Sequence, residues 1–290
     1  GIVVMTHALE SSSSAPLNVD AARAFLTRGY DVAAINFRGC GGSPAGIWRQ
    51  YHLGFTDDLR QFLEGLRSRE ANFWNYGVVG GGADLPVYLC GFSLGANVIL
   101  KLLGELGPEA ERLNIRAAAV ASCPLDIYAN RNEMAKPGIN SLVYTPNLLQ
   151  SLKKKVQGPL EEMQNEGGRS GLEGEHGAGK GDDGVPARSL PFDPARVLSS
   201  ATIGDFDESF VAPVFGFAGR DDYYNRTSSA RYLDSIAVPT VVVNALDDPF
   251  LDADTYPRER EGTPVRLVYT ENGGHLGFMF HREEGGRGSV

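Results

Sequence analysis

The chain has 290 residues, 42% of them hydrophobic, so it can bury one large core or a core with a smaller insert. Its formal net charge of -9 disfavours a nucleic-acid partner, because binding phosphates requires a clustered basic surface. The short basic run at residues 153–155 is predicted to be a solvated helix face. Cysteines without Cys-x-x-Cys spacing argue against a disulfide framework or a zinc site, and we expect them to be buried: Cys40, Cys90 and Cys123.

The sequence opens directly in a strand pattern and does not begin with methionine. We therefore expect the chain to start in the middle of a domain, so that any targeting peptide or membrane anchor upstream would be invisible in this sequence. No apolar run reaches the roughly 18 residues that a membrane span requires. The sequence leaves the compartment and the oligomeric state open.

Short β-rich runs alternate with amphipathic stretches, which is typical of an α/β fold with a parallel sheet flanked by helices. Two helices are predicted on the sheet, at residues 19–27 and 57–66, with Thr56 as the N-cap of the second. The Gly-rich stretch at 77–82 is predicted to be a loop without a phosphate-binding role. The predicted strands are 2–5, 32–35, 87–90, 117–121, 240–244 and 265–269.

The alternation stops between residues 126 and 235, which predicts an insertion between a first core part, 1–125, and a second, 236–290. Insertions at this place in α/β folds commonly form a lid. Residues 161–188 are rich in Gly, Glu and Asp and contain almost no apolar residues. That segment is predicted to be disordered, with His176 as a solvated loop histidine, because it cannot bury enough surface to offset its ordering entropy.

An apolar strand runs into Gly-x-Ser-x-Gly and directly out into an apolar helix over residues 87–101. A serine on such a sharp strand-to-helix turn needs small residues two positions away on either side, here Gly91 and Gly95. The alternative is an ordinary turn serine that caps a helix. The flanking strand and helix favour Ser93 as a nucleophile.

A serine nucleophile requires a base that takes its proton and an acid that orients this base. His275 follows the last predicted strand and is flanked by glycines, so its loop can bring the imidazole over the serine. Of the other candidates, His176 lies in the predicted disordered segment and His281 is close to the end of the chain. The sequence therefore predicts His275 as the base.

The acid is expected in the loop after the strand at 240–244, where two aspartates are adjacent. Turn chemistry, with Pro249 stiffening the bend, favours Asp248 over Asp247. The remaining carboxylate is expected to cap the next helix. The sequence offers no cluster of metal ligands and no cofactor motif, so neither a metal nor a cofactor is predicted.

A tetrahedral oxyanion needs two backbone N–H donors, one after the nucleophile and one from the loop after an early strand. Leu94 is the predicted first donor. Leu9 is the predicted second, because it follows the opening strand. We expect His7 to order this loop by hydrogen bonding and not to act as a second base.

Six segments together resemble the YheT-like branch of the α/β-hydrolase-domain (ABHD) proteins, which are esterases and lipases. This resemblance covers nearly the whole chain except the acidic Gly-rich insert. It implies an α/β-hydrolase fold with a lid insertion, shortened at both ends, and a triad of Ser93, Asp248 and His275. The segments are residues 7–13, 36–40, 51–59, 91–97, 244–250 and 273–278.

The sequence departs from the family pattern in the loop after the first strand. Family members usually have Gly in place of Ala8, and Gly at Ser12 or its neighbour. We therefore expect the oxyanion loop to be slightly displaced and the rate to be lowered.

Ester hydrolysis through an acyl-enzyme is the leading hypothesis, and the resemblance implies lipid esters such as monoacylglycerols or short to medium acyl chains. Membrane contact would occur through the missing N-terminal region or the lid. The aromatic residues of the insertion are expected to form its core more often than an acyl pocket. They are Tyr128, Tyr144, Phe206, Phe210, Phe215 and Phe217.

Two other functional classes remain open. An acyltransferase or phospholipase would use the same triad. His52 and Asp57 have an acyltransferase-like His-x4-Asp spacing, but they precede the serine and are expected to brace the fold, whereas the family pattern has its carboxylate at Asp58. A catalytically silent binding protein would have lost a triad member, and none is lost.

Overall fold

The computed structural model describes residues 1–42, 50–67, 85–138, 140–170, 190–259 and 261–278, without the side chains of 162–170. The predicted Gly-rich loop at 77–82 lies outside the described residues, and so do His176 and His281.

Six parallel strands form one sheet, and all six predicted strands are confirmed. The sheet order is β2-β1-β3-β4-β5-β6, so the order reverses between β1 and β3. In open α/β sheets, ligands bind beyond the carboxyl ends of the strands at such a reversal. The strands are β1 (Ile2–Thr6), β2 (Asp31–Ile35), β3 (Val87–Phe92), β4 (Ile115–Ala121), β5 (Thr240–Ala245) and β6 (Val265–Thr270).

Three helices lie between the first four strands along the chain and flank the sheet: α1 (Pro16–Leu26), α2 (Asp57–Arg67) and α3 (Leu94–Leu106). Both predicted sheet helices are confirmed as α1 and α2. Helix α3 is apolar on nearly every face and is buried in the main core against β1, β3 and β4. Helix α2 begins one residue after Thr56, as predicted, while the Thr56 hydroxyl donates to Glu105 Oε2 at 2.7 Å.

All described elements between β4 and β5 are helical, and no strand occurs among the described residues of the insertion (126–235). The helices are α4 (Ile127–Ala135), α5 (Thr145–Ser170), α6 (Pro194–Leu198), α7 (Ile203–Phe206), α8 (Ala212–Phe215) and α9 (Arg220–Thr227). Short 3-10 or π turns lie at Gly107–Glu111, Asn140–Tyr144, Asp207–Val211, Ser229–Arg231, Leu233–Ser235 and Ala253–Thr255.

The insertion has a hydrophobic cluster of its own, separate from the main core. Phe206 and Phe210 are buried in this cluster, and Phe215 and Phe217 are packed against it. These four aromatic residues therefore form the core of the insertion, as expected. Tyr128 and Tyr144 have exposed side chains instead.

The prediction of disorder from residue 161 is wrong for its first ten residues. Helix α5 continues through Ser170. The start of this segment contains Glu, Met and Gln, which have high helix propensity, and they extend a helix that is already nucleated by the preceding turns. Residues 171–188 lie outside the described residues.

The two ends of the insertion meet beside the sheet. Ala230 N–H donates to Leu125 O at 3.0 Å, and Ile127 N–H donates to the Ser228 hydroxyl at 3.0 Å. The amide of Asn97 in α3, which is fully buried, accepts from Ser229 N–H at 3.1 Å. The insertion thus leaves and rejoins the core at one place, next to the helix that follows Ser93.

All three cysteines are free and buried, as predicted. Burial raises the pKa of both Cys90 and Cys123 to about 12. Such thiols stay protonated near neutral pH and are poor nucleophiles.

Candidate active site

Ser93 stands on a sharp turn between β3 and α3, with φ 53° and ψ -117°. This conformation is strained for a residue with a side chain. A Cβ atom on Gly91 would lie 2.7 Å from Ile99 Cδ1, and one on Gly95 would lie 2.7 Å from His7 O. Both positions require glycine, so the structure has the strand-to-helix turn that the sequence predicts.

The imidazole of His275 links Ser93 to Asp248. His275 Nε2 lies 2.9 Å from Ser93 Oγ, and Nδ1 lies 2.8 Å from Asp248 Oδ2. Because a carboxylate only accepts, Nδ1 carries the proton and the Nε2 lone pair faces the serine hydroxyl. The Asp248 side chain is 0% exposed and its Oδ1 accepts from Phe250 N–H at 2.9 Å.

The adjacent carboxylate, Asp247, has a different task from the one predicted. Its Oδ1 accepts from Gly274 N–H at 2.8 Å, so it holds the backbone of the histidine loop. The prediction that it caps the next helix is wrong, because Asp252 caps that 3-10 turn. Turn chemistry does not reveal this contact, since Gly274 lies 27 residues further along the chain.

The residue that follows β4 also supports the histidine loop. Leu276 N–H donates to the hydroxyl of Ser122, which follows β4, at 3.1 Å. Ser122 is fully buried and has φ 51°. Sequence reasoning missed this residue, because a single serine after a strand carries no recognisable pattern.

The loop after β1 is ordered by His7, as predicted. Phe37 N–H donates to His7 Nε2 at 3.1 Å, so the ring proton is on Nδ1, which lies 2.7 Å from Ala8 O. Burial lowers the pKa of His7, which favours this neutral tautomer. Leu9 from this loop and Leu94 line the same cavity as Ser93. Leu94 is the first residue of α3, where N–H groups have no acceptor within the helix.

Glu10 connects this loop to helix α5 of the insertion. Its carboxylate accepts from the Tyr51 hydroxyl at 2.7 Å and from Lys155 Nζ at 2.6 Å, and Ser151 also donates to it. Lys153 donates to Ser200 O at 2.6 Å. The prediction of a solvated face at 153–155 is therefore wrong for two of its three lysines, because Lys155 contacts the core at Glu10 and Lys153 contacts Ser200 within the insertion.

The pair with acyltransferase-like spacing lies outside the hydrogen-bonded chain at Ser93. His52 Nδ1 accepts from Gly54 N–H at 3.1 Å, and its ring contacts Phe215 and Tyr223 edge-on. Asp57 is the first residue of α2. The bracing role predicted for His52 is confirmed.

Asp58 forms a two-pronged ion pair with Arg38. Arg38 Nε donates to Asp58 Oδ2 at 2.7 Å, and Nη2 donates to Oδ1 at 2.5 Å. The pair joins the segment after β2 to helix α2. A two-pronged ion pair of this kind fixes the relative orientation of the two segments.

A cavity of about 470 Å³ opens on Ser93 and His275. This volume is in the range of small-molecule sites. Most of the wall is apolar and comes from the insertion, including Ile127, Met134 and Ile203. Tyr144 also lines it and contacts Phe250, whose ring in turn lies 4.7 Å from that of His275.

Within the described ranges, no group of three or more His, Cys, Asp or Glu side chains could hold a metal ion. In the same ranges, no helix is both long and apolar enough to cross a bilayer.

A model of the alpha/beta hydrolase family matches residues 3–285. The chain therefore belongs to the α/β-hydrolase family, in agreement with its parallel sheet and the turn at Ser93. The expected α/β-hydrolase fold, with a mostly parallel sheet flanked by helices, is confirmed.

The curated relatives place the chain close to YheT. YheT of Escherichia coli is 31% identical over 96% of this chain and 70% of its own length. The medium-chain fatty acid ethyl ester synthase/esterase 2 of Saccharomyces cerevisiae is 28% identical over 96% of this chain and 58% of its own. The monoacylglycerol lipase of the same yeast is 26% identical over 89% of this chain and 50% of its own. The resemblance to the YheT-like branch is confirmed, and the chain spans between half and three fifths of the length of the two yeast proteins.

Proposed function

We propose that this chain hydrolyses carboxylic esters through an acyl-enzyme on Ser93. The observation that carries the proposal is the continuous hydrogen-bonded chain from Asp248 through His275 to Ser93, which opens into an apolar cavity. The proposed substrates are lipid esters with short to medium acyl chains, such as monoacylglycerols. The names of the two yeast relatives support this choice.

In the first half-reaction, His275 Nε2 takes the proton of the Ser93 hydroxyl while Oγ attacks the ester carbonyl carbon. The carbonyl oxygen becomes an oxyanion that accepts hydrogen bonds from the N–H groups of Leu9 and Leu94. The tetrahedral intermediate collapses as the C–O bond to the alcohol breaks. His275 returns its proton to the leaving alcohol.

Water completes the cycle by the same steps. His275 takes a proton from water while the water oxygen attacks the acyl carbon of the Ser93 ester. Collapse breaks the bond to Oγ, which recovers the proton from His275. Throughout, Asp248 keeps the ring in the required tautomer and stabilises the imidazolium.

The test uses nitrophenyl esters of increasing acyl length and a fluorophosphonate probe. We expect Ser93→Ala and His275→Ala to abolish turnover, and Ser93→Ala to abolish labelling. Ser199→Ala, in the insertion and away from the cavity, is the matched control and should behave as wild type. Turnover retained by Ser93→Ala would refute the proposal. A wild-type protein that folds but is not labelled would favour a silent binding protein.

Acyl transfer to an alcohol is the second candidate function. It uses the same acyl-enzyme, with an alcohol instead of water as the second acceptor. The name of the yeast ester synthase/esterase and the apolar wall of the cavity favour it. Product analysis in the presence of ethanol separates the two, because transfer yields an ethyl ester where hydrolysis yields the free acid.

We also propose that the insertion acts as a lid and contacts lipid surfaces beside the cavity entrance. Leu142 is 78% exposed, and Val143 and Tyr144 are exposed next to it. Tyr144 lines the cavity at the same time. Leu142→Gln should lower turnover of an ester in vesicles while leaving turnover of a dissolved short-chain ester unchanged. Equal rates on vesicles for the variant and the wild type would contradict this contact.

A further inference from the structure

A buried carboxylate faces the cavity from the insertion and has no part in the proposed reaction. Asp207 lies in the π turn Asp207–Val211, directly after α7, and is only 6% exposed. The hydroxyl of Tyr224 in α9 donates to Asp207 Oδ2 at 2.6 Å. Both residues line the cavity that contains Ser93. Burial raises the pKa of Asp207 to about 7.

Arg131 of α4 brings a positive charge to the same wall of the cavity. Its guanidinium lies against the backbone of Gly204, since a Cβ atom there would be 2.7 Å from Arg131 Nε. Arg131 Nη1 also donates to Asn132 Oδ1 at 3.2 Å. Arg131 and Arg220 act on Asp207 electrostatically, and both oppose the effect of burial on its pKa.

We propose that Asp207, Tyr224 and Arg131 form a subsite that binds hydroxyl groups on an uncharged part of the substrate. This proposal rests on the proposed ester hydrolysis, because it places the subsite in the cavity that receives the ester. It adds a specificity that the triad cannot provide, since the triad touches only the ester group.

The combination of charges selects the ligand class. The Asp207 carboxylate offers acceptor oxygens, and the Arg131 guanidinium offers only N–H donors. A hydroxyl group satisfies both, because it donates to the carboxylate and accepts from the guanidinium. The Tyr224 oxygen, whose proton is used by Asp207, is a further acceptor.

The apolar surroundings make this recognition selective. A plain alkyl group in the subsite would displace water from Asp207 and Arg131 without offering a hydrogen bond in return. Sites built to bind a hydroxyl therefore discriminate strongly against substrates that lack it. The hydroxyl could come from the glycerol of a monoacylglycerol or from a hydroxylated acyl chain, and three substrates distinguish these sources.

The experiment compares kcat/KM for a monoacylglycerol, the ethyl ester of the same acid, and the ethyl ester of the corresponding ω-hydroxy acid. Asp207→Leu and Tyr224→Phe remove the polar groups of the subsite. Asp20→Asn is the matched control, because it removes a carboxylate from helix α1, where the Asp20 side chain is 73% exposed. The melting temperature of each variant is measured alongside.

We expect Asp207→Leu to lower kcat/KM at least about tenfold for one hydroxylated ester, because the variant removes the acceptor of the substrate hydroxyl. Turnover of the plain ethyl ester should change less than about twofold, as binding of the apolar part is kept. Tyr224→Phe should act in the same direction and more weakly. Loss with the monoacylglycerol alone assigns the subsite to glycerol, and loss with the ω-hydroxy ester alone assigns it to the acyl chain.

Equal losses with all three esters would show a merely structural role and overturn the subsite. Variants that keep the wild-type kcat/KM for all three esters would overturn it as well. In either case, turnover of the plain ester by the wild type keeps the proposed hydrolysis intact. If the wild type hydrolyses none of the esters, the proposed function fails and the subsite fails with it. Should Asp207→Leu not fold, Tyr224→Phe and Arg131→Met decide by the same ratios.

Discussion

Lys155 of helix α5 forms an ion pair with Glu10, the residue that follows Leu9, over 2.6 Å. The two side chains are 19% and 10% exposed, so both charges are largely removed from water. A pair of this kind is costly to break from one side, because the remaining charge is left buried. The contact connects the insertion to the loop that carries the proposed oxyanion donor.

Lys155→Met should therefore lower kcat more than it raises KM. The substitution leaves Glu10 without its cation and loosens the loop at Leu9, which is expected to reduce kcat by about tenfold for a partial loss of one oxyanion contact. Lys154→Met changes an exposed neighbour by the same chemistry and should have little effect. Steady-state kinetics with a nitrophenyl ester checks both. A rise in KM alone would mean that the ion pair shapes the cavity instead.

Replacing Asp247 or Asp248 singly should lower kcat to very different extents. Asp248→Asn allows the imidazole to take the wrong tautomer, which reduces kcat by about 10⁴ in a serine triad. Asp247→Asn removes one charged acceptor from Gly274 N–H and leaves the ring's partner in place, so a loss of about tenfold is expected. Rates measured with one ester on both variants test this order. A larger loss for Asp247→Asn would reverse the assignment of the acid.

Ser122→Ala should weaken the support of the histidine loop. The variant removes the acceptor of Leu276 N–H, and one such buried hydrogen bond contributes roughly 1 kcal/mol. We expect kcat to fall several-fold with the fluorophosphonate labelling rate falling in parallel, because both depend on the position of His275. Wild-type labelling kinetics in Ser122→Ala would show that Asp247 alone holds the loop.

Ionisation of Asp207 should lower the free energy of unfolding as the pH rises. Its pKa in the folded protein, about 7, lies above the ordinary value of 3.8, so the folded state binds the proton more tightly than the unfolded state. The stabilisation is complete below the ordinary pKa and is lost as the pH rises through the folded pKa. It amounts to a few kcal/mol at most, as one pKa unit corresponds to about 1.4 kcal/mol.

The Asp207→Asn variant removes this dependence. Its free energy of unfolding relative to the wild type should increase between about pH 5 and about pH 8 in urea titrations. Asp20→Asn, at an exposed position of α1, should follow the wild type across the same range. Parallel curves for Asp207→Asn and the wild type would show that this carboxyl keeps an ordinary pKa in the folded protein.

The sequence predicts the parts of this molecule that depend on local patterns. The strands are visible as short β-rich runs, and the turn at Ser93 is visible because Gly91 and Gly95 must be small. The spacing of strand ends also places His275 and Asp248 at one edge of the sheet. Each of these features is decided within a few residues of the chain.

Contacts between distant segments are not visible in this way. Ser122, Glu10 and Asp207 act through partners on other elements, and no short motif marks them. The same limit explains the error at Lys155, where a run of lysines predicts exposure but one face of α5 packs on the core. The error at residue 161 has a local cause instead, because a helix that starts earlier continues into a polar segment.

The meeting of the insertion's two ends at Asn97 has an engineering consequence. The core already holds the two ends of this segment together. A change in the length of the segment therefore costs little additional chain entropy. The stretch between Leu125 and Ala230 is thus an exchangeable module. Grafting the corresponding stretch of a relative at these two points should transfer substrate preference while the hydrogen-bonded chain from Asp248 to Ser93 stays on its own strands.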